Sequence, residues 1–364
     1  MLLLESINFI PMYLLEHAPG FNDEAAAAVA DKLYGIRGRV TSLPSERDQN
    51  FLIASESGEK FVLKIANALE DRVFLEAQNQ AMSHLEKRLS FCPRIVPTLS
   101  GELMSQAETS IESPHQSTNI LRLVSYLPGV PLGDVKPQTA EILHDLGKKL
   151  GQLDRELVEF DHPALHRDFH WDLANGLTVI SKYGRLVADT RLRELVYRYA
   201  QEFERGISPL LPRLRRSVIH GDANDYNVIV TNGAVNPAQC AVIGLIDFGD
   251  MVWSFTVGDL AVTIAYVVLG KTDPLSAAAH VVAGYTSELP LKEDEIEVLY
   301  GLALMRLCMS VCLSAYQQKQ RPENEYLKIS QASIRNSLPR LMEIDSSVAA
   351  DAFRVAASNC ADEP

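Results

Sequence analysis

The segment His220-Gly221-Asp222-Ala223-Asn224-Asp225-Tyr226-Asn227 and the later segment Ile246-Asp247-Phe248-Gly249-Asp250 hold two carboxylates and an amide at spacings that suit phosphoryl transfer. A carboxylate at the start of such a loop accepts the proton of an attacking hydroxyl. An amide five residues on, and a second carboxylate at the next strand exit, can hold Mg²⁺ against the phosphates of a nucleotide. Apolar runs must position these groups. Ser217-Val218-Ile219 leads into His220, Asn227-Val228-Ile229-Val230 leaves the loop, and Ala241-Val242-Ile243-Gly244-Leu245-Ile246 runs into Asp247. Each motif alone also reads as a turn or a strand exit with a Gly bulge. The ordered pair in matching apolar context points to a site.

The pattern H-G-D-x-x-x-x-N followed by I-D-F resembles the aminoglycoside phosphotransferase and choline kinase-like family of small-molecule kinases. That resemblance implies Asp222 as catalytic base, and Asn227 and Asp247 as metal ligands. It also implies an α+β, two-lobed protein-kinase-like fold, with a small β-rich N-lobe and a larger, mostly helical C-lobe. His166-Arg167-Asp168 is a literal H-R-D and a possible rival. Five residues past Asp168 stands Leu173, which cannot bind a metal, and no apolar strand leads into His166, so the segment is rejected as the catalytic loop.

The chain has 364 residues, more than one core usually serves, which predicts two lobes. We place them at 1–126, holding the nucleotide, and 127–364, holding the catalytic loop and the acceptor. Hydrophobic residues make up 47% and charged residues 22%, as in ordinary globular chains. The net charge of −13 argues against nucleic acid or an anionic membrane as partner and suits a cationic substrate. An odd count of 5 cysteines without a CxxC fits a reducing, cytoplasmic setting, and Cys308 and Cys312 read as buried thiols. The start, Met1-Leu2-Leu3-Leu4-Glu5, lacks the basic region of a signal peptide, and no uninterrupted apolar stretch predicts a membrane span.

Patterning predicts a helix over 22–33, strands over 39–43, 50–54 and 60–65 with a Ser57-Gly58 hairpin, and a helix over 70–88. Strands over 95–99 and 120–127 follow, with a polar loop between 105 and 118. Pro128-Gly129-Val130-Pro131 is a strong break. Beyond it, helical spacing covers 139–160, 191–214, 257–269, 274–289, 293–320 and 326–344.

Lys64 is a cation inside the apolar run Phe61-Val62-Leu63-Lys64-Ile65, a costly placement unless it is paired. In a kinase-like site it neutralises nucleotide phosphates and is held by a helix glutamate. Glu76 is the expected partner, with Glu70 assigned to the helix start. The alternative for Lys64 is an edge-strand lysine that discourages aggregation. The segment 43–50 stands in place of a phosphate-covering loop but contains no glycine; Ser45, Gln49 and Asn50 are its possible donors. Val124 and Tyr126 flank the purine of ATP or GTP through their backbone. His220 is expected to bond backbone carbonyls around the loop. Asp259 resembles the family's aspartate that braces the loop from a helix start, and also reads as an N-cap.

For the acceptor, Asp225, Asp250 and Asp172 are extra acids that can face a cation. Trp171 or Trp253 can pack on an ammonium. The strings Arg167-Asp168-Phe169-His170-Trp171-Asp172-Leu173 and Ser45-Glu46-Arg47-Asp48-Gln49-Asn50 resemble the hydroxylysine kinase-like branch of the family. This implies a small hydroxylated amine as acceptor, an amino alcohol or hydroxy-amino acid, with Mg²⁺ as cofactor. An aminoglycoside-inactivating kinase and a nucleotide-binding pseudokinase or scaffold remain as alternatives. The intact set Lys64, Asp222, Asn227 and Asp247 speaks against the last.

Overall fold

The computed structural model describes residues 19–45, 48–108, 118–231, 240–320 and 330–358. The chain divides into two compact units, Met1–Pro128 and Gly129–Pro364.

The N-terminal unit opens with α1 (Asp23–Tyr34), capped by the Asn22 side chain on Ala25 N–H and closed by Gly35 at φ 67°. Strands β1 (Gly38–Leu43), β2 (Gln49–Ser55) and β3 (Lys60–Ile65) precede α2 (Arg72–Glu86). Then come β4 (Ile95–Val96), β5 (Ser105–Glu108) and β6 (Thr118–Ser125). All pairings are antiparallel, in the order β1-β2-β3-β6-β4, with β5 also on β6. Strand alternation sorts the two faces. Phe51, Ile53, Leu63, Ile65, Leu121 and Leu123 bury themselves against Ala26, Ala30 and Tyr34 of α1. Asn50, Lys64 and Arg122, which alternate with them, are cross-strand partners on the opposite face.

Three expectations change here. β3 lies between β2 and β6, so Lys64 is not an edge-strand lysine. The stretch read as a polar loop begins with β5: Ser105–Glu108 pairs with β6, and its alternating half-buried and exposed side chains carry too little apolar signal to announce a strand. Residues 109–117 of that stretch lie outside the described residues. Helix α2 starts after Asp71, whose side chain accepts from Val73 N–H, so Glu70 belongs to the preceding turn.

In the C-terminal unit, β7 (Val130–Pro131), β9 (Val228–Val230) and β10 (Val242–Leu245) form one small sheet. β8 (Arg216–Ile219) pairs with β11 (Val252–Phe255). Helices α3 (Ala140–Leu157), α4 (Gly176–Tyr183), α5 (Thr190–Gly206), α6 (Val257–Val267), α7 (Pro274–Thr286), α8 (Glu293–Gln320), α9 (Gln331–Leu341) and α10 (Ser346–Ser358) supply the rest. Helices α4 and α10 and strands β7 and β11 are absent from the sequence-based expectation. The α4 stretch is short and begins and ends next to glycines, and β7 hides inside the Pro-Gly break. Residues 321–329, at the start of the expected 326–344 helix, lie outside the described residues.

Helices α3 and α7 cross with backbones in contact. A Cβ at Gly147 would sit 1.9 Å from Val281 O, and one at Gly284 would sit 1.9 Å from His144 O, so only glycine permits the approach. Helix α8 is long and apolar enough to cross a membrane, but 94% of its apolar window is buried inside the protein. It is a core helix surrounded by other elements, and it carries one buried guanidinium, that of Arg306.

Candidate active site

Strand β8 delivers the loop through His220 and Gly221. Gly221 has φ 81°, and a Cβ there would meet Asp250 O at 2.6 Å, which fixes the residue as glycine. Asp259, in the first turn of α6, accepts from His220 N–H at 2.7 Å and from Gly221 N–H at 2.6 Å. His220 Nε2 donates to Ile246 O at 3.0 Å, and its Nδ1 accepts from Asp222 N–H at 3.3 Å. The imidazole therefore stitches the loop to the exit of β10. On the far side of that exit, Arg167 of the rejected H-R-D segment donates from Nη2 to Gly249 O at 3.2 Å and to Met251 O at 3.1 Å.

Asp222 is held on both oxygens. Oδ2 accepts from Asn224 Nδ2 at 2.9 Å and Asn227 Nδ2 at 2.8 Å. Oδ1 accepts from Arg306 Nη2 at 2.6 Å. Asn224 in turn accepts from Tyr226 N–H at 2.8 Å and Asn227 N–H at 3.2 Å, closing an Asx turn that shapes the loop. Burial pushes the Asp222 carboxyl up to about 7. The Arg306 cation and the Asn224 hydrogen bond pull against it, while nearby Asp250 and Asp247 add to it. The side chain is 22% exposed, enough for one oxygen to meet an incoming hydroxyl.

Asn227 Nδ2 also donates to Asp222 O at 2.9 Å, so both its bonds point toward Asp222 and Oδ1 is left as its acceptor. Asp247 stands at φ 65°, ψ 75°, the only non-glycine residue with positive φ among the described residues. No group of three or more His, Cys, Asp or Glu side chains forms a metal cage among the described residues. A nucleotide-borne Mg²⁺ needs no such cage, since one or two hard protein oxygens complete a shell of water and phosphate. An amide oxygen and a carboxylate fit that requirement.

Arg306 is a site residue that sequence reasoning misses. It is 2% exposed, with its guanidinium 4.2 Å from the Trp171 ring; Nη1 donates to Trp171 O at 3.3 Å, and the Tyr266 ring lies 6.0 Å away. A cation inside Leu302-Ala303-Leu304-Met305-Arg306-Leu307-Cys308 carries the same signal that singles out Lys64. Trp171, expected under an acceptor's ammonium, thus packs on the protein's own cation. Trp253 does likewise, stacked on His166 at 4.8 Å with Arg216 at 5.1 Å.

The extra acids separate. Asp172 is buried, and its Oδ1 accepts from Ala174 N–H at 3.0 Å and from Ser254 Oγ. It caps a short turn, and burial raises its pKa. Its hydrogen bonds are those of an N-cap, spent within the protein on the turn that follows. Asp225 differs. Its Oδ1 is buried and meets no hydrogen-bond donor. Burial, together with nearby Asp134, lifts its carboxyl to about 6. Its backbone O accepts from Gly133 N–H at 2.9 Å.

In the N-terminal unit, Glu76 accepts from Arg72 Nε at 2.9 Å, an exposed pair one helical turn apart. The pairing expected with Lys64 is not the one Glu76 makes, since Arg72 sits at the favoured i,i+4 spacing. Lys64 is half-buried beside Arg122, which donates to Gln78 at 2.7 Å and Asn79 at 3.3 Å on α2. Asn50 Oδ1 is buried without a donor, across the ladder from Lys64. Gln49 is spent on Phe21, accepting from its N–H at 2.8 Å and donating to its O at 3.1 Å. Ser45 is half-buried, and residues 46–47 lie outside the described residues. Val124 pairs with both Val62 and Ile95, and Tyr126 N–H donates to Lys60 O at 3.1 Å. These ladder bonds commit the backbone donor that Tyr126 was expected to offer a base.

Residues 39–295 match the family model described as the phosphotransferase enzyme family. A hydroxylysine kinase of Danio rerio is 34% identical over 90% of this chain and 94% of its own length. One from Xenopus laevis is 33% identical over 87% and 88%. Among solved structures, an amicoumacin kinase in complex with AMP-PNP, Ca²⁺ and Ami superposes with a TM-score of 0.67 at 15% identity, covering 90% of this chain and 97% of that one. A microcompartment-associated aminopropanol kinase gives 0.59 at 17%, covering 92% and 96%. These two likenesses bear on the fold, which is kinase-like. The chain belongs to the phosphotransferase enzyme family and is a small-molecule kinase that moves a phosphoryl group from a nucleotide to a hydroxyl.

Proposed function

We propose that this kinase phosphorylates a hydroxylated, cationic amine of the hydroxylysine or amino alcohol class, with ATP or GTP as donor. The observation that carries the acceptor class is Asp225. Three residues from the proposed base, it keeps a buried carboxylate oxygen with no donor. An ammonium group supplies what that oxygen lacks. The relatives named hydroxylysine kinase support the same class. Asp250, whose charge is felt at Asp222, adds to the negative field.

In this reading Asp222 orients the acceptor hydroxyl and takes its proton as the phosphoryl group arrives in line. Asn224 and Asn227 fix one carboxylate oxygen while Arg306 fixes the other. Asn227 Oδ1 and Asp247 would hold Mg²⁺, which supplies charge neutralisation at the phosphate oxygens. Lys64 serves the nucleotide phosphates, with Ser45 and Asn50 as further contacts and the Val124 and Tyr126 backbone beside the base. His220 and Asp259 maintain the loop.

The test is a nucleotide-consumption screen with ATP and GTP across hydroxy-amino acids, amino alcohols and aminoglycosides. Turnover confined to the first two classes is expected. Turnover on aminoglycosides alone, or with no acceptor despite bound Mg-nucleotide, would reject the proposal.

A further inference from the structure

Behind the catalytic loop lies a second carboxyl group that phosphoryl transfer does not use. Asp154, in the last turns of α3, is wholly buried. Its Oδ2 accepts from Tyr285 Oη at 2.7 Å, and its Oδ1 is buried with no donor. Asp259 lies within hydrogen-bonding reach of it. That residue is equally buried, and each of its oxygens takes a loop N–H, from His220 and from Gly221. Two carboxylates this close in a dry interior cannot both be ionised. Arg215, whose charge opposes the rise at Asp154, is bound by Glu295 at 2.7 Å and so offers little net charge.

The proton's place follows from the bonds. Asp259 is an acceptor twice over from backbone N–H groups, and it sits in the first turn of α6, where the helix dipole favours negative charge. Asp154 has one oxygen with nothing donating to it. A proton there ends the mismatch and converts that carboxyl into a donor.

We propose that Asp154 is held as the neutral carboxylic acid and donates a hydrogen bond to Asp259, so that one buried proton ties α3 to the backbone of the catalytic loop. Asp154 is a positioning residue: it touches no substrate and acts on Asp222 through Asp259, His220 and Gly221. Burial and the neighbouring Asp259 both push its carboxyl well above the ordinary range, whereas the Tyr285 hydrogen bond and Arg215 oppose the rise. The glycine crossing of α3 and α7 is what lets Tyr285 reach it.

Asp154→Asn separates this arrangement from an ionised Asp154, because an amide both accepts from Tyr285 and donates to Asp259. In the infrared, wild type minus Asp154→Asn at pH 7 should show the C=O stretch of a protonated carboxylic acid; a carboxylate band instead overturns the proposal. The sign of the pH dependence gives a second check. A carboxyl raised in the folded state contributes stability that is full below its unfolded value of 3.8 and is lost as pH rises toward its folded value. Asp154→Asn cannot lose a proton, so its melting temperature should gain on wild type between about pH 5 and pH 8. The opposite trend overturns the proposal. In turnover, Asp154→Ala should lower kcat about tenfold with nucleotide KM unchanged, while Asp154→Asn stays within about twofold of wild type. An Asn variant as slow as the Ala variant overturns the bracing role. That last arm rests on Asp222 as base, whereas the infrared and melting arms read the proton whether or not Asp222 is the base.

Discussion

Lys64 in the N-terminal unit and Arg306 in the C-terminal unit are both cations set inside apolar runs, yet the two surroundings treat them differently. Lys64 rides on a strand, where alternation turns it away from Leu63 and Ile65 to a half-buried face shared with Asn50 and Arg122. Arg306 rides on a helix buried on all sides, where no face leads out. It must be neutralised in place, and Asp222 does that at 2.6 Å with Trp171 beneath. A strand can expose a charge by parity alone, whereas a core helix can keep one only by pairing it. Removing one partner of such a buried pair strands the other.

That contrast can be pushed until it breaks. Asp222→Asn should cut kcat by about 10³-fold or more with Mg-nucleotide binding still measurable by titration calorimetry, and should lower the melting temperature because Arg306 loses its counter-charge. Substantial residual turnover would remove Asp222 from the base role. Arg306→Met should cost about 10²-fold in kcat through misplacement of Asp222, with Arg306→Lys intermediate because an ammonium lacks the planar fork and the ring stacking. Equal activity of the two variants would reduce Arg306 to packing. Lys64→Ala should weaken nucleotide binding about tenfold without a comparable loss of melting temperature. Unchanged affinity in a fluorescent-nucleotide titration would take the phosphates away from it. The smallest effects divide the acids: Asp225→Asn should raise acceptor KM about fivefold with kcat kept, while Asp172→Asn changes either constant by less than about twofold. The reverse order in steady-state kinetics would return Asp172 to the acceptor.

The legible parts of this molecule are those with local signals. The candidate catalytic loop shows itself because Asp222, Asn227 and Asp247 lie at strand ends whose apolar runs are short and bounded. The strands β1 to β3 and their hairpin follow from alternation and Ser57-Gly58. What stays hidden depends on contacts distant in sequence. Arg306 meets Asp222 across 84 positions, and nothing near either residue names the other. Trp171 and Asp172 look like acceptor contacts because composition cannot say which cation an indole covers or which N–H a carboxylate caps. Position in the helix points Glu76 at Lys64, while Arg72, one turn before it, makes the closer claim. Strand β5 escapes notice because an edge strand with polar side chains looks like a loop until its partner is known.

Asp247 holds a left-handed backbone angle that a glycine would adopt freely and an aspartate adopts at a cost of about 1 kcal/mol. Replacing it with glycine relieves that strain while discarding the carboxylate proposed for the metal. Heat resistance and catalysis therefore pull this one codon in opposite directions. A library of variants sorted only by survival of heating should enrich for the Asp247→Gly substitution among molecules that no longer turn over.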